Sequence, residues 1–207
     1  MVTILDKDRS DEEALGYALD TLANICSPEE FEEEVIESRP ARSSTEKQFG
    51  SIGEQFTEIF LKKSINVQLV LNTLEEYDFK VRRPAIKLLT NLLVSKPRLM
   101  QEIILKSQMG VSRLMDVLVD AREVLRNDAL LLLIQVTKGH ANLQKIVAFE
   151  NAFDKLCDII SMVSLAPSLI TCCISEMDAA LITLIASQYI VLYYHIKISE
   201  TKDKFIK

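Results

Sequence analysis

The residues whose types could do chemistry in this 207-residue chain are few. Arg126, Asn127 and Asp128 stand directly before a run of apolar residues, a cluster that suits either the polar centre of a site or the exposed start of a buried helix. The only two histidines are His140 and His195, and neither has an evident carboxylate or nucleophile partner nearby in sequence. Cys26, Cys157, Cys172 and Cys173 lack the paired CxxC spacing that holds zinc, so no metal site is expected and the thiols are read as reduced. No Gly-rich phosphate loop, GxSxG elbow or HExxH pair occurs. The chain therefore carries no pattern of an enzyme, and no cofactor is expected.

Composition narrows the classes further. Net charge is −6 with a pI near 5.1, which argues against nucleic acid as a partner, because a phosphate-tracking surface needs a basic excess. Gly and Pro number five each, too few for the turns of a many-stranded sandwich or barrel. The first residues, MVTILDKDRSDEE, turn acidic before a signal-peptide core forms.

The elements that must position any site come from an internal repeat. The stretch from Glu58, EIFLKKSINVQLVLNTLEEYDFKVRRPAIKLLTNL, aligns without gaps on the stretch from Glu102, EIILKSQMGVSRLMDVLVDAREVLRNDALLLLIQV, at an interval of 44 residues. Arg82 falls on Arg126, Ala85 on Ala129, and Leu88-Leu89 on Leu132-Leu133. A later copy places Leu156 and Asp158 at 42 residues from Leu114 and Asp116. An earlier one, EALGYALDTLANI, puts Ala18 under Ala85 and Asn24 under Asn91 at 67 residues, so about 23 residues are inserted between those units. Within a unit, Ala85, Leu88, Leu89 and Leu92 recur at i, i+3, i+4 and i+7, the spacing of one helix face. The fold class is all-α, an armadillo/HEAT-like helical solenoid with a period of about 42–44 residues. In this frame Arg126-Asn127-Asp128 corresponds to Arg82-Arg83-Pro84. Both are read as the first turn of each unit's last helix, with Asp128 paired to Arg126 or to an arginine of the next unit.

A solenoid offers the exposed face of its last helices for binding. Asn24, Asn91 and Gln135 hold equivalent places there, with Lys87 one turn before Asn91. This polar ladder is the candidate protein-interaction surface, suited to an extended peptide backbone or to hydrogen bonding between repeats. In armadillo proteins of the importin-alpha type a Trp precedes such an Asn by one turn. Here Asp20, Lys87 and Leu131 take those places and the chain has no Trp, which speaks against a Trp-Asn cargo groove.

Two segments depart from the repeat. Residues 27–53 carry six glutamates between Glu29 and Glu37 and then Ser43, Ser44 and Thr45. They are read as a loop insertion that is solvated, or that offers an acidic contact to a basic partner and phosphorylation at those hydroxyls. Residues 162–207 form an apolar helical tail. Its stretch 179–196 holds 18 residues without a formal charge, about 27 Å as a helix, against a bilayer core of about 30 Å. A core helix of a last repeat and a single membrane span both fit. Cys172-Cys173 beside it fit burial or palmitoylation.

Several stretches carry a resemblance: DRSDEEALGYALDTLANI, GEQFTEIFLKK, NVQLVLNTLEEYDFKVRRPAIKLLTNLL, MGVSRLMDVLVDAREVLRNDALLLL and QKIVAFENAFDKLCDII. In this order they resemble the head domain of the Uso-type general vesicular transport factors, golgin-like tethers of ER-to-Golgi traffic, over about residues 8–161. The resemblance implies an armadillo-like head fragment at 1–161, peripheral to Golgi and vesicle membranes and cytoplasmic. Its implied partners are Rab GTPases, SNARE-associated and golgin-type proteins, and a second copy in a homodimer. The implied work is capture by binding. Arg83 stands where the family usually has an aromatic residue, and residues from 162 onward do not match. The rival expectation is a tail-anchored membrane scaffold that presents a short helical-repeat domain to the cytosol.

Overall fold

The structure, a computed structural model, describes residues 2–7, 11–28 and 51–162. The chain divides into two compact units, residues 1–136 and 137–207. The first contains α1 (Val2–Lys7), α2 (Glu12–Ile25), α3 (Ile52–Leu61), α4 (Ser64–Thr73), α5 (Phe79–Ser95), α6 (Pro97–Lys106), α7 (Gly110–Val117) and α8 (Glu123–Thr137) up to its last residue. The second contains α9 (Ala141–Phe149) and α10 (Ala152–Met162). Every described element is helical, and the 44-residue register puts α3, α4 and α5 on α6, α7 and α8. The expected all-α repeat architecture is what forms.

Several helices start where the sequence supplies a side-chain acceptor for orphan N–H groups. Asp11 accepts from the N–H groups of Glu13 and Ala14 at 3.1 and 3.0 Å, Ser51 from Glu54 at 3.3 Å, and Asp78 from Lys80 at 2.6 Å. Pro97 occupies the first position of α6, where an N–H would have gone unpaired. Two turns share one conformation at repeat-equivalent places. Met109 and Asn151, 42 residues apart, both sit in the left-handed region with φ of 63° and 57°.

These starts shift one expectation. Pro84 is the sixth residue of α5 and Asn127 and Asp128 are the fifth and sixth of α8, all beyond the first turn. Asp78 caps α5 and α8 already starts at Glu123, so the triplets act inside their helices. Pro84 has no N–H for the Lys80 carbonyl one turn back. Gly16 of α2 lies against that carbonyl, since a Cβ on Gly16 would stand 2.6 Å from Lys80 O. A side chain there would force the backbones of α2 and α5 apart, and these two make the most extensive contact of any described helix pair.

The core runs through matching rows of the last helices. Ala18, Ala85 and Ala129 are buried, as are Leu22, Leu89 and Leu133. Each fully buried leucine contributes roughly 1.5–3 kcal/mol by leaving water. The insertion does not break this stack. A Cβ on Gly53 would lie 1.9 Å from Ser27 O, so the two ends of the inserted segment meet where it leaves the repeats and returns. The expected loop ends at Ser51, because Ile52 and Gly53 already belong to α3. Ser43, Ser44 and Thr45 lie outside the described residues, as do His195, Cys172, Cys173 and the stretch 179–196. Among the described residues, no helix is long and apolar enough to cross a membrane.

Gly16→Ala is expected to lower stability by about 1–3 kcal/mol, the usual cost of overpacking a tight interface. Urea unfolding followed by circular dichroism at 222 nm checks this; an unchanged midpoint would show that α2 and α5 tolerate the extra atom.

Candidate functional site

Two places in the first unit gather polar side chains: a corner between the α4–α5 and α7–α8 turns, and the exposed face of α2, α5 and α8.

The corner is built around a buried ion pair. Arg82 points inward because it lies three residues before Ala85, on the apolar face of α5. Its side chain and that of Asp120 are 5% and 4% exposed, and Nη1 donates to Asp120 Oδ2 at 2.6 Å. Arg82 Nε donates to the Leu74 carbonyl at the end of α4, at 3.0 Å. Asp120 also accepts from Arg122: Oδ1 from the backbone N–H at 2.9 Å and from Nε at 2.8 Å, and Oδ2 from Nη2 at 2.8 Å. Arg122 Nη2 reaches on to the Tyr77 carbonyl at 2.9 Å. The Arg122 side chain, ahead of the opposing effect of burial, holds the Asp120 carboxyl far below the usual carboxylate range, and Asp120 raises Arg122 in return. An open groove of about 640 Å³ lies over this cluster, with Tyr77 and Val119 exposed on its walls. The Arg82 guanidinium stands 4.9 Å from the centre of the Tyr77 ring.

The corner explains the arginine repeat. Arg126, equivalent to Arg82, donates through Nη1 to the carbonyls of Asp120 and Ala121 at 2.8 and 2.9 Å. In both units the arginine therefore ties its helix to the turn before it. Asp128 pairs at 3.4 Å with Arg83 of the previous unit, instead of the expected Arg126 or an arginine of the next unit.

On the second face, Asn24 and Lys87 are exposed, and Asn91 and Gln135 are half-buried. Lys87 Nζ donates to Asn24 Oδ1 at 2.9 Å, and Asn91 Nδ2 donates to the Ala23 carbonyl at 2.8 Å. Asn24, Lys87 and Asn91 are thus brought together across α2 and α5. No hydrogen bond joins the Gln135 side chain to them, although its backbone carbonyl accepts from Gln101 Nε2 at 3.4 Å.

Other chemistry-bearing residues take structural places. His140 begins α9, and its Nδ1 accepts from the Leu143 N–H at 3.3 Å. The Cys26 thiol is buried, and burial pushes it above its ordinary range. Among the described residues no group of His, Cys, Asp and Glu could hold a metal ion. The residues that sequence reasoning passed over are Asp120, Arg122 and Tyr77. The available signal was Arg82 itself: a guanidinium in the apolar phase of a helix must find a carboxylate.

The stacked three-helix units define an armadillo-like solenoid. No family model matches the sequence. The chain is 55% identical over 161 residues to general vesicular transport factor p115 of Homo sapiens, covering 78% of this chain and 16% of that protein. It is 39% identical over 160 residues to golgin candidate 6 of Arabidopsis thaliana, covering 77% and 16%. The crystal structure of Uso1-2 has the same fold, with a TM-score of 0.70, 21% identity, and coverage of 89% of this chain and 29% of that one. The chain belongs to the p115/Uso1 family of general vesicular transport factors. It spans about a sixth of the length of the curated relatives it matches.

The depressed Asp120 carboxyl makes an acid-side prediction. A group whose folded pKa is lowered stabilises the protein above its unfolded pKa, about 3.9, and that stability is lost as pH falls towards the folded value. Asp120→Asn should be less stable at pH 7 and lose less than the unsubstituted chain between pH 5 and pH 3. Urea midpoints at the three pH values read this, and parallel acid limbs would argue against it. Arg82→Met should cost about 3 kcal/mol at pH 7, because it removes one partner of a buried pair.

Proposed function

We propose that the chain is a binding module for vesicle tethering and fusion at the Golgi in ER-to-Golgi protein transport. Residues 1–161 carry recognition as an armadillo-like head fragment, acting through Rab GTPases and SNARE-associated or golgin-type proteins. The observation that carries this reading is 55% identity over 161 residues to a protein named as a general vesicular transport factor. The mechanism is capture. The exposed face bearing Asn24, Lys87, Asn91 and Gln135 presents hydrogen-bonding groups on helices fixed by a buried stack, so little order is lost there when a partner docks. No bond is made or broken. The head sits on Golgi and vesicle membranes peripherally, through those proteins.

Membrane fractionation of the 1–207 chain and a 1–161 truncation tests the proposal. Both should sediment with Golgi-enriched membranes and be released by high salt, as polar protein contacts are. Retention of the full chain alone, resistant to alkali, would replace this reading with that of a tail-anchored scaffold.

A further inference from the structure

The exposed rows of the last helices run side by side across the repeats, and their chemistry changes from helix to helix. One row is Asp20 on α2, Lys87 on α5 and Leu131 on α8; two turns towards the N-terminus lies Glu13, Lys80 and Val124. In both rows the order is acidic, basic, apolar. The helices as wholes follow it. α2 contains Glu12, Glu13 and Asp20 with no Lys or Arg, and α5 contains Lys80, Arg82, Arg83 and Lys87 with no Asp or Glu. On α8, Leu131 and Val124 are 51% and 47% exposed.

Part of this pattern joins the repeats. Lys80 lies 4.0 Å from Glu13 and Arg83 lies 3.4 Å from Asp128, exposed pairs that water and salt weaken. Two features are left over. Among the described residues Lys87 Nζ meets a neutral amide oxygen and is in no ion pair. Leu131 and Val124 keep large apolar surface in water at repeat positions where the neighbouring helices carry charge. Packing does not require this variation, because the adjacent buried row is alanine in all three helices, at Ala18, Ala85 and Ala129.

We propose that this face docks an extended partner segment lying across the helices, with an apolar side chain on Leu131, a carboxylate on Lys87 and a cation at Asp20. The inference rests on the recognition surface proposed above and specifies the chemistry of its partner. Packed helix axes are about 8–10 Å apart, and an extended chain rises about 3.3 Å per residue. Contacts on successive helices therefore fall about three residues apart, which gives the pattern apolar-x-x-acidic-x-x-basic, in either chain direction.

Fluorescence anisotropy with the full chain tests it. The probes are a labelled Leu-Ser-Ser-Glu-Ser-Ser-Lys peptide, the same residues in reverse order, and a permuted peptide with Leu and Glu exchanged. One of the two ordered peptides should bind at least about tenfold more tightly than the permuted one, roughly 1.4 kcal/mol. Lys87→Glu should weaken that peptide by about tenfold or more, and a peptide with Lys in place of Glu should restore binding to the variant. Leu131→Ser should weaken it severalfold, with circular dichroism matching the unsubstituted chain. Equal binding of the permuted peptide, or an affinity unchanged in Lys87→Glu, overturns the inference, as does no binding of either ordered peptide at low salt. Golgi-membrane sedimentation is scored in parallel. Membrane retention without ordered-peptide binding sinks this inference and leaves the tether-head reading. Ordered-peptide binding without retention of the unsubstituted chain does the reverse.

Discussion

A guanidinium group buried inside a helical stack sets terms that the surrounding structure has to meet. Arg82 occupies an apolar phase of α5, where an unpaired charge would be untenable, so a carboxylate and a carbonyl must be delivered to it from outside its helix. Asp120 arrives from the α7–α8 turn of the next repeat and Leu74 O from the end of α4. The pair consequently fixes the position of one unit against the next. Asp120 in turn anchors Arg122, and Arg122 holds the turn at Tyr77. A hydrophobic pair in the same place would bury comparable surface, but it would tolerate sliding. The directional bonds of a guanidinium and a carboxylate do not.

The same spacing returns elsewhere. Arg82 with Asp120, Lys96 with Glu58 and Arg113 with Glu75 are each separated by 38 residues, in every case a contact from one repeat to its neighbour. Their environments differ sharply. Lys96 and Glu58 lie near the surface, and Glu58 keeps a lowered pKa because Lys96 donates to it, yet water screens that pair. Arg82 and Asp120 are excluded from water and cannot be screened in that way. A periodic set of clips thus has one strong member and weaker ones, and the strong member lies beneath the open groove lined by Tyr77 and Val119.

How much of this was legible in the sequence follows from what repeats and what does not. Rows such as Ala18, Ala85 and Ala129 are constrained by the same packing in every unit, so the 44-residue repeat, with one insertion, exposes them and the fold with them. The left-handed turns at Met109 and Asn151 keep the 42-residue interval of the later copy without sharing a residue type. Asp120 was not legible by that route. Its counterpart one unit earlier is Glu76, and Arg122 falls on Asp78, which caps a helix instead. The corner is a departure from the repeat, and a search for likeness passes over departures. The capping role assigned to Asn127 and Asp128 failed for a related reason. Their alignment with Arg83 and Pro84 marks a shared register position, while each helix starts four or five residues earlier, at Phe79 and Glu123.

The separation between repeating and non-repeating positions also bears on binding. A solenoid stacks because its buried rows are alike, and that likeness would make its outer face equally uniform if exposed residues answered to packing. They do not, since a side chain facing water in one unit is nearly independent of the corresponding one in the next. Asp20, Lys87 and Leu131 show that independence: an acid, a base and a hydrocarbon at one register position on three adjacent helices. Stability resides in Ala85 and its equivalents, while the residues that face water lie one or two positions away on the same helix. The helix fixes the distance between the two sets, so the outer row can change without loosening the stack that holds it in place.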